Sequence, residues 1–191
     1  MRKDINNIIK GIIEEQKYFN LLIENHIRLD NIFSDRTINE NANDVINLIK
    51  NNDWEFENPI RFKEAVSKSK HKEMLTMYSV NELSNMKLFK LKGYDIGYAL
   101  KLKDGKYSEI VSVFNNEPNI KGIGDELLLS AIKNGGCYLD HYDGYLSNLY
   151  QSLGFIEYDR YKFDPNYDID GSFVKKYGKS DVIFRKHINC K

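Results

Sequence analysis

The 191-residue chain carries 28 basic and 28 acidic side chains, with 12 basic against 13 acidic in residues 1–80 and 16 against 15 in the remainder. A balance kept along the whole length excludes a polyelectrolyte segment, so charge gives no support to nucleic-acid or membrane-surface binding. The longest apolar runs, such as Leu127-Leu128-Leu129, fall far short of the roughly 18–20 residues that span a bilayer. Met1-Arg2-Lys3-Asp4 leads into an amphipathic pattern and not a signal-peptide pattern, so a cytoplasmic protein is expected.

In chain order, Ile5, Ile8, Ile9, Ile12 and Ile13 fall on one helical face, and Phe19, Leu22, Ile23 and Ile27 continue the stripe. One long amphipathic helix is predicted over residues 1–30. Val45, Ile46, Leu48 and Ile49 predict a second over 41–50, and Asn58-Pro59 opens a third with proline at its first position. Residues 1–70 therefore read as a helical extension or subdomain, and 71–191 as a separate domain. The helical faces either pack on the rest of the chain or join a second copy or a protein partner.

After Lys72 the texture changes. Leu75 to Tyr78 has the character of a short strand, and Ser79-Val80-Asn81-Glu82 is a capping box opening a helical turn. Lys87 to Lys92 is a strand, and Tyr94 to Lys101 alternates apolar with polar at period two. Asp104-Gly105 supplies a tight turn into a strand over Ser108 to Asn115, giving three antiparallel strands in a meander. A helix follows the glycine loop at Gly122, then a strand over Cys137 to Tyr142 and a helix over Tyr145 to Leu153 stopped by Gly154. Phe155 to Phe163 and Asp181 to Arg185 are closing strands, separated by a long loop over Asp164 to Lys179. Cys137 and Cys190 have no C-x-x-C or metal spacing, which fits unpaired thiols in a reducing compartment, and no metal motif is present.

Gly122-Ile123-Gly124 stands between a strand end and a helix. That order gathers the unpaired amides of a first helical turn at one point, with the helix dipole behind them and no Cβ in the way, which suits an anion. Neither the dinucleotide nor the P-loop fingerprint is complete. Asn119-Ile120-Lys121-Gly122-Ile123-Gly124 nevertheless resembles motif A of the GNAT-type N-acetyltransferase superfamily, Q/R-x-x-G-x-G/A. Leu149-Tyr150-Gln151-Ser152-Leu153-Gly154-Phe155 is similar to that family's (F/L)Y-x-x-x-GF segment, at the family's spacing. The resemblance spans residues 75–187 and implies an α/β fold of the α+β kind: a mixed, mostly antiparallel twisted sheet with flanking helices, here preceded by the N-terminal helical segment.

The resemblance also implies chemistry. Lys121 to Asp125 would cradle the pyrophosphate of acetyl-CoA as cosubstrate, and Val113 and Phe114 would offer a strand edge to its pantetheine arm. Tyr150 matches the acid that protonates the departing thiolate, a sensible task for a phenol. Departures from the family pattern are Asn119 for Gln or Arg, Ile120 where glycine is frequent, and Asp143 where many members have Asn. Asp125 places a carboxylate in the first helical turn, where it would repel a pyrophosphate; Lys121 could offset it. His141 and Glu109, with Asp140 beside them, are the candidate bases for the attacking amine. Alternation puts His141 and Asp140 on opposite faces of their strand. The acceptor would be an amine on a small molecule or a protein. The alternative is a non-catalytic binding module, since the chain resembles more weakly the GNAT-like domains of phage and mobile elements, in which case its target would be a host protein.

Overall fold

The computed structural model describes residues 40–167 and 171–190; the helix expected over 1–30 lies outside them. The elements are α1 (Glu40–Lys50), β1 (Trp54–Phe56), α2 (Pro59–Lys68), the short turn α3 (Val80–Leu83), β2 (Lys87–Leu91), β3 (Ile96–Lys103) and β4 (Lys106–Asn115). They continue with α4 (Gly124–Lys133), β5 (Tyr138–Tyr142), α5 (Tyr145–Ser152), β6 (Phe155–Tyr161), α6 (Ser172–Tyr177) and β7 (Val182–His187). The strands form a single seven-stranded sheet in the order β1-β2-β3-β4-β5-β7-β6. Every neighbouring pair is antiparallel except β4 and β5. This is the mixed, mostly antiparallel sheet with flanking helices that the motifs imply.

Local chemistry explains most element starts. Asn58 caps α2 by accepting from the Ile60 amide at 2.8 Å, with Pro59 at the first helical position. Ser79 and Glu82 close a reciprocal capping box on α3. Asp104 and Gly105, with φ of 52° and 76°, make the two-residue turn that the β3–β4 hairpin requires.

The sheet is packed on both faces. Against one, Phe62, Ala65 and Val66 of α2 and Leu83 of α3 bury Leu88, Ala99, Val111 and Phe114. Against the other, α1 and α4 bury Leu91, Ile96, Ile120 and Ile123, and α4 and α5 cover Tyr98, Leu100, Ile110 and Leu139. Val111 and Phe114 are three apart and would face opposite ways on a regular strand. They share a cluster because β4 bulges: Ala99 pairs with Val111 and Gly97 with Phe114, so two residues of β4 oppose one of β3. Ser112 takes up the excess with φ 51°.

Several expectations change. Leu75 to Tyr78 is not a strand; a short 3₁₀ turn over Lys72–Met74 precedes it and no strand pairs with it. Trp54–Phe56, within the part read as helical, is the edge strand β1, so residues on both sides of position 70 build the same sheet. The long loop contains α6, whose Lys176 and Tyr177 both donate to Glu73. Most consequentially, the two cysteines are not free thiols but a disulfide, Cys137–Cys190, with Cα atoms 5.7 Å apart. Antiparallel pairing of β5 with β7, starting at Tyr138↔Lys186, brings the two ends together, and the His187 amide donates to the Cys137 carbonyl at 2.7 Å. Among the described residues no helix is long and apolar enough to cross a membrane.

Candidate functional site

The parallel strands β4 and β5 are paired at a single position, Glu109↔Tyr138, with the Cys137 amide donating to the Ser108 carbonyl at 2.7 Å just behind it. Beyond that point β5 pairs on its other side with β7 as far as Tyr142↔Val182, and β4 pairs with β3 as far as Ile96↔Asn115. The facing edges of Ile110–Asn115 and Leu139–Tyr142 therefore diverge without a ladder between them. The Ser112 bulge lies on this stretch, buried to 7% exposure. Phe114 turns its side chain into the core under α2, and half-buried Val113 packs against the clusters of the opposite face, so only their backbone can line the opening.

At the far end of β4 the glycine loop is braced from within. Asn115 Nδ2 donates to the Ile120 carbonyl at 2.8 Å, its Oδ1 accepts from the Glu117 amide at 3.0 Å, and Glu117 Oε1 accepts from the Asp95 amide at 2.7 Å. The loop side chains divide by exposure. Asn119, Lys121, Gly122 and Gly124 are exposed, whereas Ile123 and Asp125 are buried at 2% and 1%. Gly122 has φ 75°, and a Cβ there would meet nothing within 4 Å, so the backbone is open to solvent at that point. The first helical bond of α4 runs from the Leu127 amide to the Ile123 carbonyl at 3.0 Å, and the amides ahead of it take no part in the helix ladder. Asp125 is turned inside, and Glu126 is held by Lys50 of α1 at 3.3 Å.

α5 stands beside α4, a Cβ on Gly124 reaching within 4.0 Å of Leu149 Cδ2. It carries Tyr150, whose ring centroid lies 4.6 Å from that of His141 and 6.2 Å from that of Phe155. Burial, and after it the negative charge of Asp140, pushes the phenol up to about 12 against the opposing pull of Arg185. His141 is 7% exposed and fully engaged. Its Nε2 accepts from Arg185 Nε at 2.8 Å, so Nδ1 carries the proton and donates to the Tyr142 carbonyl at 2.7 Å. Burial and then the guanidinium charge hold the imidazole below its ordinary value. No lone pair is left on His141 for the proton of an amine. Asp143 is committed as well: Oδ2 accepts from Arg160 at 2.7 Å and Oδ1 from Ser147 at 2.8 Å, tying down the start of α5.

Glu109 and Asp140 occupy the opposite face from His141. Glu109 is half-buried and paired with Lys101 at 3.2 Å. The carboxyl of Asp140 is raised by desolvation and then by the charge of Glu109. The Tyr78 ring sits 5.6 Å from Lys101 Nζ, and its phenol is also raised by burial. Close by, a small open depression is lined by Lys63, Val66, Met77, Tyr78, Leu83 and Ser112. Tyr78, Ser112 and Arg185 had no sequence signal: the bulge and the buried guanidinium arise from pairings that local pattern does not encode. Among the described residues no group of three or more His, Cys, Asp or Glu side chains could hold a metal ion.

No protein-family model matches the chain, and no curated protein does. Among solved structures, it is similar to an N-acetylglutamate synthase from Neisseria gonorrhoeae complexed with coenzyme A and L-arginine, at 17% identity over 66% of this chain and 31% of that one, with a TM-score of 0.40. The chain thus spans about a third of that protein's length. An IAA acetyltransferase from Bacillus cereus ATCC 14579 is 17% identical over 70% of this chain and 97% of that one, with a TM-score of 0.43. A GNAT family acetyltransferase from Elizabethkingia anophelis with acetyl-CoA bound is 24% identical over 56% and 78%, with a TM-score of 0.35. Likenesses this distant carry no argument about the chemistry of the site, which rests on the residues themselves.

Proposed function

We propose that the chain is an acyl-CoA-dependent N-acyltransferase that moves an acetyl group from acetyl-CoA to an amine by direct attack. The observation that carries the reading is the opening between β4 and β5, held together at one residue pair, with the glycine loop at the far end of β4 and Tyr150 of α5 packed on His141 of β5.

The residues fit such a cosubstrate. The exposed loop at Lys121, Gly122 and Gly124, with helix amides behind it, suits a pyrophosphate, and the Lys121 ammonium offsets part of its charge. The β4 edge at Val113 and Phe114 offers backbone groups to an amide-bearing arm, in the manner of an added strand. Bulging at Ser112 aims one amide away from β3, where it can polarise a thioester carbonyl. When bound, acetyl-CoA supplies the activated acyl group. Nitrogen attack forms the C–N bond as the C–S bond breaks, Tyr150 O–H delivers its proton to the sulfur, and the amine proton leaves through water to the carboxylates Glu109 and Asp140. His141 supports Tyr150 and takes no proton itself. The acceptor enters from the side of the depression at Met77 and Tyr78, carrying an amine on a small molecule or a protein.

Calorimetry with acetyl-CoA, followed by transfer of labelled acetyl groups in a cell extract, tests the reading. Saturable heat and a labelled product are expected. Tyr150→Phe should keep binding and lose about 10²-fold or more in turnover, the usual worth of a general acid. No binding at millimolar acetyl-CoA would overturn the proposal in favour of a non-catalytic binding module.

A further inference from the structure

Arg185 is a buried cation on which no carboxylate of the described residues sits. The residue is 6% exposed, and its hydrogen bonds go to neutral acceptors, His141 Nε2 at 2.8 Å and the Phe155 carbonyl at 3.2 Å. Among the described residues none of its nitrogens lies in ion-pair range of an acid. Buried charges are normally paired, because leaving one alone in a poorly polarisable interior is costly. The acids nearest by position are spoken for. Glu157 sits opposite Arg185 in the β6–β7 register, yet both its oxygens accept from Arg160 at 2.8 Å, and Asp143 is held by the same Arg160 at 2.7 Å. On its inner side Arg185 faces His141 of β5, and behind that ring stands Tyr150 of α5.

This inference rests on the reading of Tyr150 as the acid. A phenol that gives up its proton in a buried site becomes an anion, and among the described residues the Arg185 guanidinium, bonded to the ring that Tyr150 packs on, is the buried cation placed to meet it. We propose that Arg185 is a positioning residue that holds His141 as the Nδ1-protonated tautomer against the Tyr150 ring and whose charge stabilises the phenolate formed when Tyr150 protonates the departing thiolate. The proton goes from Tyr150 Oη to sulfur, the electron pair of the broken O–H bond stays on oxygen, and the phenol is restored by a proton from water. Other charged groups around the pair act in both directions: Asp140 on β5 disfavours the phenolate, while Glu157 and Asp143 offset the guanidinium and Arg160 repels it.

The test uses the full chain with fluorotyrosine in place of tyrosine, which brings the phenol ionisation into an accessible pH range for fluorine NMR; the Tyr150 signal is identified by its loss in Tyr150→Phe. Arg185→Gln, which keeps a donor for His141 but removes the charge, should move the Tyr150 ionisation upward by about one pH unit, while Arg185→Lys should move it far less. In the unlabelled protein Arg185→Gln should lower kcat about tenfold at unchanged KM for acetyl-CoA, and should have no further effect on top of Tyr150→Phe. An unchanged Tyr150 ionisation in Arg185→Gln overturns the proposal. A shifted ionisation with unchanged kcat upholds the coupling of the two residues and overturns instead the role of Tyr150 as acid. If the variants do not fold, nitrogen NMR of the wild-type chain decides: a proton on His141 Nε2, or titration of the ring at its ordinary value, overturns the proposal.

Discussion

Removing the Cys137–Cys190 bond should destabilise the fold strongly without altering a side chain of the site. The bond closes a loop with a sequence separation of 53. In the chain-entropy account, cross-linking a loop of that length withholds from the unfolded ensemble a freedom worth about 4 kcal/mol at 25 °C. The ends it joins are already neighbours through β5–β7 pairing, so the folded state needs no rearrangement to accept it. Urea unfolding followed by tryptophan fluorescence, which reads the one Trp of the sequence, gives the assay. For a slope of about 2 kcal/mol/M, the Cys137→Ser/Cys190→Ser variant should unfold at about 2 M less urea than the oxidised protein. Its melting temperature should fall by roughly 8–16 °C. The wild type in excess reductant should match the variant. Coincident midpoints for oxidised protein, reduced protein and variant would refute the reasoning, since they would mean that the unfolded chain gains nothing when the loop is opened.

Three further outcomes are expected. A methyl group on Gly97 would lie 2.5 Å from the Phe89 carbonyl and 2.9 Å from the Phe114 ring, so Gly97→Ala should destabilise by about 3 kcal/mol in thermal unfolding. Phe62→Ala, which empties a fully buried site stacked edge-on against Phe114, should cost about 3–5 kcal/mol by the same measurement. His141 and His187 are both held below the ordinary imidazole value by burial, so each takes up a proton on unfolding at mildly acid pH. Their contribution is complete above the unfolded value near 6.5 and is lost as pH falls through the lower folded value. Urea midpoints should therefore drop between pH 7.5 and 5, with a limiting slope of about 2.7 kcal/mol per pH unit for two protons; a flat profile would contradict the burial of the two rings in neutral form.

What could be read from the sequence was what neighbouring residues decide among themselves. Asn58-Pro59, the Ser79–Glu82 box and Asp104-Gly105 each fix a backbone conformation within four residues, and each stands where the pattern put it. The glycine loop and the segment from Leu149 to Phe155 were legible for the same reason. The missed features depend on distant partners. Trp54–Phe56 has too few residues to alternate and is a strand because Leu91 to Phe89 lies alongside it. Val-Ser-Val-Phe-Asn reads as a regular strand, and only Gly97 opposite reveals that Ser112 is surplus. The Leu75–Tyr78 segment has strand composition but no ladder to join, so it stays outside the sheet. Cys137 and Cys190 meet through strand pairing that their spacing does not announce, and the burial of Arg185 follows from the strands β5 and β6 on either side of β7 and not from any local pattern.

The lone rung between β4 and β5 makes the molecule mechanically two plates. Strands β1 to β4 are cross-laced into one stiff board, and β5, β7 and β6 into another, the second riveted at its base by the disulfide. Between the boards the backbone offers one pair, Glu109↔Tyr138, and the bond from Cys137 to Ser108. Beneath that gap the side chains are continuous: the cluster under α4 and α5 joins Tyr98, Leu100 and Ile110 of the first board to Leu139 and Phe155 of the second, so the wedge is open in its backbone and closed at its floor. A slab-shaped occupant would therefore meet two backbone rims over a packed floor, with the rivet set where the rims converge and not where they part.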